Sequence, residues 1–396
     1  MFALKRALKL NKNEATLMVK HAGFRRVVFN MGLSIRTQMY GEGKFSDSKV
    51  INEIKKLLTD RVKKQLGFAG MNQWSSRVDQ NALIDLKDAF SKYRLGQSGH
   101  RTFASRRSGL SFTVDSSKGK VVLDTGYTIK IPTLGTLRLH EPWDCGWVSQ
   151  AFTISKEGSR WLVSFCFDAE RLPVQQPKKI LGVDRGIKFF ATLSEAEGSN
   201  HQVLDAPKPL KQTKTKLATL QRQASRQARG SNNQRKTYAR ISRLHAGISC
   251  VRKDFLKKLT TYLAQSFKLI KMEDLNVKGM MANHKLARAI SDLGFYKFKR
   301  QLTYNCLRYM ATRVLVDQWF PSSLTCSNCG QKQDRPLSIR TYNCQSGGVS
   351  IDRDLNASIN ILNREPSAAR GIADSLDYLG PNRVASERQL ALAKFE

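Results

Sequence analysis

Apolar and basic residues alternate over the first fourteen positions. Phe2, Leu4, Ala7, Leu8 and Leu10 lie among Lys5, Arg6 and Lys9. A period of two predicts a strand, and its basic positions suggest an edge. From Glu14 the period becomes helical through Leu17, Val19, Ala22, Phe24, Val27, Val28, Met31 and Leu33. The same spacing continues over 46–66 (Ile51, Ile54, Leu57, Leu58, Val62, Leu66) and over 78–95 (Val78, Ala82, Leu83, Leu86, Ala89, Phe90, Tyr93). These faces predict a helical bundle over 15–99. Residues 100–177 switch to short strands at 112–114, 120–123, 128–131, 135–139, 151–154 and 161–167. Gly, Pro and Asp separate them, and a hairpin turns around Lys156-Glu157-Gly158. Short strands with regular turn signals predict a small β-barrel built from 1–14 and 100–177, with the bundle inserted. Residues 171–177, with Pro173 and Pro177, read as a linker.

The second half opens with two apolar runs, 178–183 and 187–193, joined by a bend at Asp184-Arg185-Gly186. Residues 208–258 then have a helical period broken at Gly230-Ser231-Asn232-Asn233, which predicts two helices in a hairpin. A buried strand at 267–275 ends in Glu273 and Asp274. A helix is expected over 286–310, and a strand over 314–320, ended by Pro321. Residues 322–348 form a Cys- and Gly-rich insert. A helix follows with Asp354 in its first turn, and 365–396 read as a loosely held polar tail.

Charge narrows the partners. The 396 residues carry 67 Lys and Arg against 32 acids, a net charge of +35. That excess implies a polyanion, and because it is spread along the chain it favours nucleic acid over a membrane surface. The basic hairpin is the extreme case: 208–258 holds fifteen Lys or Arg and one acid, Asp254. Arg222, Arg226, Arg235, Lys236 and Arg240 are its candidate phosphate contacts. No apolar run approaches the roughly 18 to 20 residues of a membrane span. The N-terminus lacks a signal peptide's apolar segment, so a soluble, cytoplasmic protein is expected. Seven cysteines in such a chain predict reduced thiols, and only Cys326, Cys329 and Cys344 cluster.

Three acids end apolar elements: Asp184, Glu273 and Asp354. They could be unrelated turn and cap residues, since Asp352 and Asp354 sit where helix N-termini favour acids. Converging at one sheet edge, they could not all ionise without a cation. Magnesium suits oxygen ligands, and two such ions about 4 Å apart support phosphodiester cleavage. The element order suits an RNase H-like fold.

Gly-Val-Asp-Arg-Gly-Ile-Lys at 182–188, Met-Glu-Asp-Leu-Asn at 272–276 and Asp-Arg-Asp-Leu-Asn-Ala-Ser-Ile-Asn at 352–360 resemble the three RuvC-type motifs of the TnpB family. Phe320 to Gly330 resembles that family's finger, and Gly23 to Asn30 its N-terminal helix signature. The resemblance covers roughly 1–364. It implies an α+β multidomain chain. A wedge barrel (1–14 and 100–177) would carry an inserted recognition bundle (15–99). A RuvC-like domain (178–321 and 349–364) would carry the finger (322–348). It further implies an RNA-guided DNA endonuclease that binds a guide RNA and double-stranded target DNA, as a monomer or a dimer on the RNA. Asp184, Glu273 and Asp354 would then be the catalytic, magnesium-binding acids. Asp354 is preferred to Asp352 because Asp-Leu-Asn matches the family's Asp-x-Asn core. Gln80 and Asn81 lie in a helix resembling the one that reads the target-adjacent duplex, where amides can bond adenine, although the pair could instead cap that helix. The finger departs from the family pattern. Its second Cys-x-x-Cys pair has Gly at position 347, so zinc on Cys326, Cys329 and Cys344 would be weak or lost. The alternatives are a guided DNA binder that cuts poorly and an unguided transposase or resolvase with an RNase H-like core.

Overall fold

The structure is a computed structural model that describes residues 2–41, 52–56, 75–105, 109–115, 126–131, 134–142, 151–167, 179–196, 201–334, 336 and 339–364. The chain divides into two compact units, residues 1–169 and 170–396.

The first unit combines an antiparallel sheet with helices. Its strands are β1 (Phe2–Lys9), β2 (Ser111–Asp115), β3 (Thr128–Ile131), β4 (Gly135–Leu139), β5 (Ala151–Glu157) and β6 (Arg160–Phe167). They run in the order β2-β5-β6-β1-β4-β3. The β5–β6 hairpin turns at Gly158 (φ 61°), within the expected turn. β1 is not an edge strand. It pairs with β6 from Phe2 to Leu8 and with β4 at Leu8 and Lys9. Its basic residues meet acids instead of marking an edge: Lys5 lies 2.9 Å from Glu157, and Arg6 3.7 Å from Glu141. The end strands β2 and β3 do not pair with each other among the described residues, so the described strands form an open sheet where a barrel was expected. The strand expected at 120–123, the linker at 171–177 and the tail at 365–396 lie outside the described residues.

α1 (Lys12–Gly41) and α2 (Ser76–Arg94) pack together and onto this sheet, and residues 52–56 are also helical. Most of the helix expected over 46–66 lies outside the described residues. Gly32 of α1 admits the side chains of Leu83 and Leu86, whose methyls would stand 2.9 and 3.0 Å from an added Cβ. Met18, Val28 and Leu83 join Phe112, Ile154 and Phe165 in one core.

The second unit is built on β7 (Ile180–Asp184), β8 (Ala191–Glu195), β9 (His201–Leu204), β10 (Leu269–Glu273) and β11 (Thr312–Val316). The order is β11-β10-β7-β8-β9. β7–β8 and β8–β9 are antiparallel, whereas β10 runs parallel to both β7 and β11. β9 escapes the sequence pattern because three of its four residues are exposed. Two long helices follow, α3 (Pro209–Arg226) and α4 (Asn232–Ser266), separated at Gly230 (φ 80°). Ser231 caps α4 by accepting from the Gln234 N–H at 3.2 Å. The segment read as one helix over 286–310 is two, α6 (Ala287–Leu293) and α7 (Phe295–Tyr309), after a short α5 (Val277–Ala282). Gly294 at φ 73° breaks them, because a left-handed residue cannot continue an α-helix. β12 (Thr341–Asn343) and β13 (Ser350–Asp352) form a separate ribbon, and α8 (Arg353–Asn363) closes the described chain.

Alternation along the central strands decides what each face meets. Leu181, Val183, Ile270 and Met272 are fully buried and join Leu263 of α4 with Phe298 and Leu302 of α7. Each contributes about 1.5–3 kcal/mol by leaving water. The intervening positions face α8. Gly182 lies against it, and the Lys271 ammonium donates to Leu362 O (2.7 Å) and Arg364 O (2.8 Å) at its C-terminal end. Cationic donors are favourable there because the last carbonyls are unpaired and the dipole is negative.

A Cβ on Gly182 would overlap the Ser358 carbonyl and the Leu362 backbone. Gly182→Ala is therefore expected to destabilise the chain by about 2–3 kcal/mol, as an overpacked core does. Denaturant midpoints check this, and an unchanged midpoint would refute the close approach.

Candidate active site

β7 and β10 are parallel neighbours in register, Val183 beside Met272, so Asp184 and Glu273 leave the sheet side by side. α8 supplies the third acid. Asp352 caps it by accepting from the N–H groups of Asp354 (2.9 Å) and Leu355 (3.1 Å), which fixes Asp354 in the first turn. Asp352 thus supports the site through the backbone. The loop after Asp184 passes Asp354 closely, since a Cβ on Gly186 would lie 3.9 Å from Asp354 Oδ2.

The electrostatics follow from this convergence. Burial, then repulsion from Glu273 and Asp354, pushes the Asp184 carboxyl up to about 8, against the opposing pull of the Arg185 charge. By surface area Asp184 is only half-buried, so its surroundings crowd it without sealing it. The three carboxylates are coupled but not packed together. Among the described residues, the potential ligand atoms that lie within 4.8 Å of one another in a group of three are the thiols of Cys326, Cys329 and Cys344.

Groups that the sequence reading did not single out surround the acids. Arg185 is buried, donates to the Glu273 backbone carbonyl and sits 5.7 Å from the Phe295 ring centre. Burial lowers its guanidinium to about 10, while Glu273 and Asp184 oppose that shift. The Ser322 hydroxyl donates to Glu273 Oε1. Arg340 and Arg353 lie 3.4 and 3.8 Å from Asp354 Oδ1. Arg185 could have been suspected from its place directly after a buried strand. Ser322 could not, because its partner is 49 positions away.

α8 also holds the loop that carries Ser322. Asn360 Nδ2 donates to Ser322 O (2.8 Å) and Thr325 O (2.6 Å). Asn356 donates to Thr325 O (2.7 Å) and accepts from the Ser327 N–H (2.9 Å).

That loop leads into the cysteine cluster. Cys326 and Cys344 are buried, and the Cys329 and Cys344 sulfurs are 3.4 Å apart. The Gly347 N–H donates to Cys344 Sγ at 3.2 Å and lowers that thiol's pKa. A Cβ on Gly347 would stand 3.4 Å from both the Cys329 and Cys344 sulfurs. The three thiols suit zinc, and position 347 sits where a fourth ligand would enter.

The remaining expected residues lie elsewhere. In the first unit, Ser75 caps α2, so Gln80 and Asn81 are not the cap. Gln80 is exposed and accepts from Arg77 at 3.2 Å. Asn81 is tied inward, donating to Arg77 O (2.7 Å) and Asp115 Oδ1 (3.0 Å). In the second unit, Arg222, Arg226, Arg235, Lys236 and Arg240 are all exposed on α3 and α4. Asp254, the acid of this stretch, pairs with Lys258 at 2.8 Å. No described helix is long and apolar enough to cross a membrane.

Comparison with known proteins converges on one group. A family described as "Probable transposase" matches residues 164–284, and one described as "Cas12f1-like, TNB domain" matches residues 295–361. A "Putative RNA-guided DNA endonuclease" of Streptomyces pristinaespiralis is 31% identical, over 100% of this chain and 97% of its own length. InsQ of Escherichia coli K12, which carries the same description, is 30% identical over 72% of this chain and 73% of its own. The solved Cas12f1-sgRNA-target DNA complex shares the fold, with a TM-score of 0.56 at 14% identity, over 89% of this chain and 83% of that one.

Two outcomes test this geometry. Asn360→Ala removes the side-chain donor to the Ser322 carbonyl and one of the two to the Thr325 carbonyl, which keeps Asn356, so a loss of about 1–3 kcal/mol is expected. Faster amide exchange confined to 322–327 would show it, and unchanged exchange would refute the clamp. Gly347→Cys should supply a fourth thiolate. A quarter of the ~10–16 kcal/mol of a structural zinc site predicts a gain of about a hundredfold or more in zinc affinity. Competition with a chromogenic chelator measures it, and equal affinity would show that the fourth position is not open.

Proposed function

The chain belongs to the TnpB family of RNA-guided DNA endonucleases, and we propose that it cuts guide-matched DNA at a divalent-metal centre formed by Asp184, Glu273 and Asp354. The observation that carries this reading is the convergence of three acids from β7, β10 and α8 at one end of a sheet, with Asp184 driven towards its neutral form by burial and then by the charges of Glu273 and Asp354. Such a set is unfavourable alone and suits a hard cation with oxygen ligands. The strand order β11-β10-β7-β8-β9, with its antiparallel half followed by a parallel half, supports an RNase H-like core of RuvC type.

Magnesium at these acids would activate a water and stabilise the leaving oxygen of a phosphodiester. The chain's own groups have separate tasks. Arg185 fixes the end of β10 through the Glu273 carbonyl and places a permanent positive charge beside the acids. Ser322 turns the Glu273 carboxylate by donating to one of its oxygens. Asp352 holds the first turn of α8, and with it Asp354. The exposed cations of α3 and α4 bind nucleic-acid backbone, while base pairing to the guide RNA carries sequence. In this reading residues 178–321 with 349–364 are the nuclease domain and 322–348 the finger, in which Cys326, Cys329 and Cys344 hold zinc weakly. The first unit comprises the wedge and recognition bundle, with Gln80 at the duplex beside the target. Asn81 supports that helix through its bond to Asp115.

Expression with the native flanking DNA should yield one defined copurifying RNA that ends in a variable segment. DNA matching that segment should be cut in magnesium and spared in EDTA. Asp184→Asn should lower cleavage on the order of a thousandfold or more while leaving RNA and target binding intact. Only heterogeneous RNA, or full cleavage by Asp184→Asn, would overturn the reading.

A further inference from the structure

The loop that leaves Asp184 borders a cavity of about 510 Å3 in the second unit. Six cations line it: Lys188 of that loop, Lys208, Lys211 and Lys214 at the start of α3, and Lys285 and Arg288 at the start of α6. Asp292 is the one acid in the lining, and its charge is already engaged. It is buried, accepts from the N–H groups of Leu210 (3.1 Å) and Lys211 (3.0 Å), and pairs with Arg252 at 3.3 Å. Lys208 bonds the Lys188 carbonyl at 2.7 Å and Asp205 at 3.0 Å, which ties the catalytic loop to α3. Among the described residues, Lys211, Lys214, Lys285 and Arg288 make no ion pair.

Like charges gathered around one cavity repel each other unless an anion enters. The positive end of the α3 dipole reinforces the same field. Six cations exceed the charge that a single phosphodiester would neutralise. Among the described residues the lining offers cations and no aromatic platform, which favours contact with the phosphodiester backbone over base stacking. We propose that this cavity is a phosphodiester-backbone subsite that holds a short stretch of a single strand beside the loop that follows Asp184. Its role in feeding that strand to the acids rests on the nuclease reading; its ligand chemistry does not.

The test is Lys211→Gln/Lys214→Gln/Lys285→Gln in the full chain with its RNA. All three side chains are exposed, so folding should be kept. Fluorescence anisotropy with a labelled single-stranded DNA reads the DNA arm, and RNA retained per protein reads the RNA arm. A control, Lys9→Gln/Lys130→Gln/Arg138→Gln, removes three exposed charges from the sheet of the first unit. The subsite predicts at least a tenfold loss in one arm. If that arm is DNA, the slope of log affinity against log salt should become shallower by about 2, at roughly 0.7 per lost contact to a single strand. Wild-type values in both arms, or an equal loss in the control, would overturn it. If the wild type fails to cut DNA while the variant still loses binding, the subsite stands and the nuclease reading falls.

Discussion

The site depends on one close approach, that of α8 to β7 at Gly182. With no side chain there, the backbone of α8 at Ser358 and Leu362 comes against the strand. The approach sets the height of α8 above the sheet, and hence the distance from Asp354 to Asp184 and Glu273. Lys271 fixes the far end of the helix and Asp352 the near end, so α8 is held at three points along its length. Asn356 and Asn360 then carry the same constraint outward to the loop containing Ser322, which returns to Glu273. The helix that brings Asp354 therefore also positions Glu273.

Opposing electrostatic demands meet at the end of the sheet. Three carboxylates near one another oppose ionisation, yet a metal centre needs them ionised. Arg185 moderates the conflict without removing it. Its guanidinium is itself buried and shifted, and it bonds a carbonyl, not a carboxylate. Arg185 thus lowers the repulsion among the acids without taking a carboxylate oxygen, whereas Arg340 and Arg353 lie by Asp354 Oδ1 and Ser322 donates to Glu273 Oε1.

Much of this was legible in the sequence because the acids end strongly apolar runs whose period gives the element type. Ile180–Val183 and Leu269–Met272 read as buried strands, and the helix-start chemistry of Asp352 and Asp354 marks the start of α8. What stayed hidden has physical reasons. β9 has an exposed face and no apolar period. The break at Gly294 lies within an otherwise continuous helical pattern, where one glycine is tolerated or decisive depending on its packing. The interior place of β1 was obscured because its charges are paired by partners more than a hundred positions away, Glu157 and Glu141. Ser322, Arg340 and the amides of α8 act across sequence distances that no local pattern records.

The cysteine cluster shows how a pattern can lapse without its fold. Loss of a fourth thiol at position 347 would be severe if zinc alone ordered the loop, since small metal domains gain most of their stability from the ion. Here the loop has other supports. Tyr342 is buried, and its hydroxyl donates towards Leu324 O (3.1 Å) and Gln331 O (3.3 Å), joining the ribbon to the segment around Cys326. Asn356 and Asn360 hold the same segment, and the Gly347 N–H supports the Cys344 sulfur by donating to it. Because Ser322 reaches Glu273 through the amide clamp, its position does not depend on whether the thiols hold an ion. The cysteine loop can therefore lack a fourth ligand while the geometry of Asp184, Glu273 and Asp354 is retained.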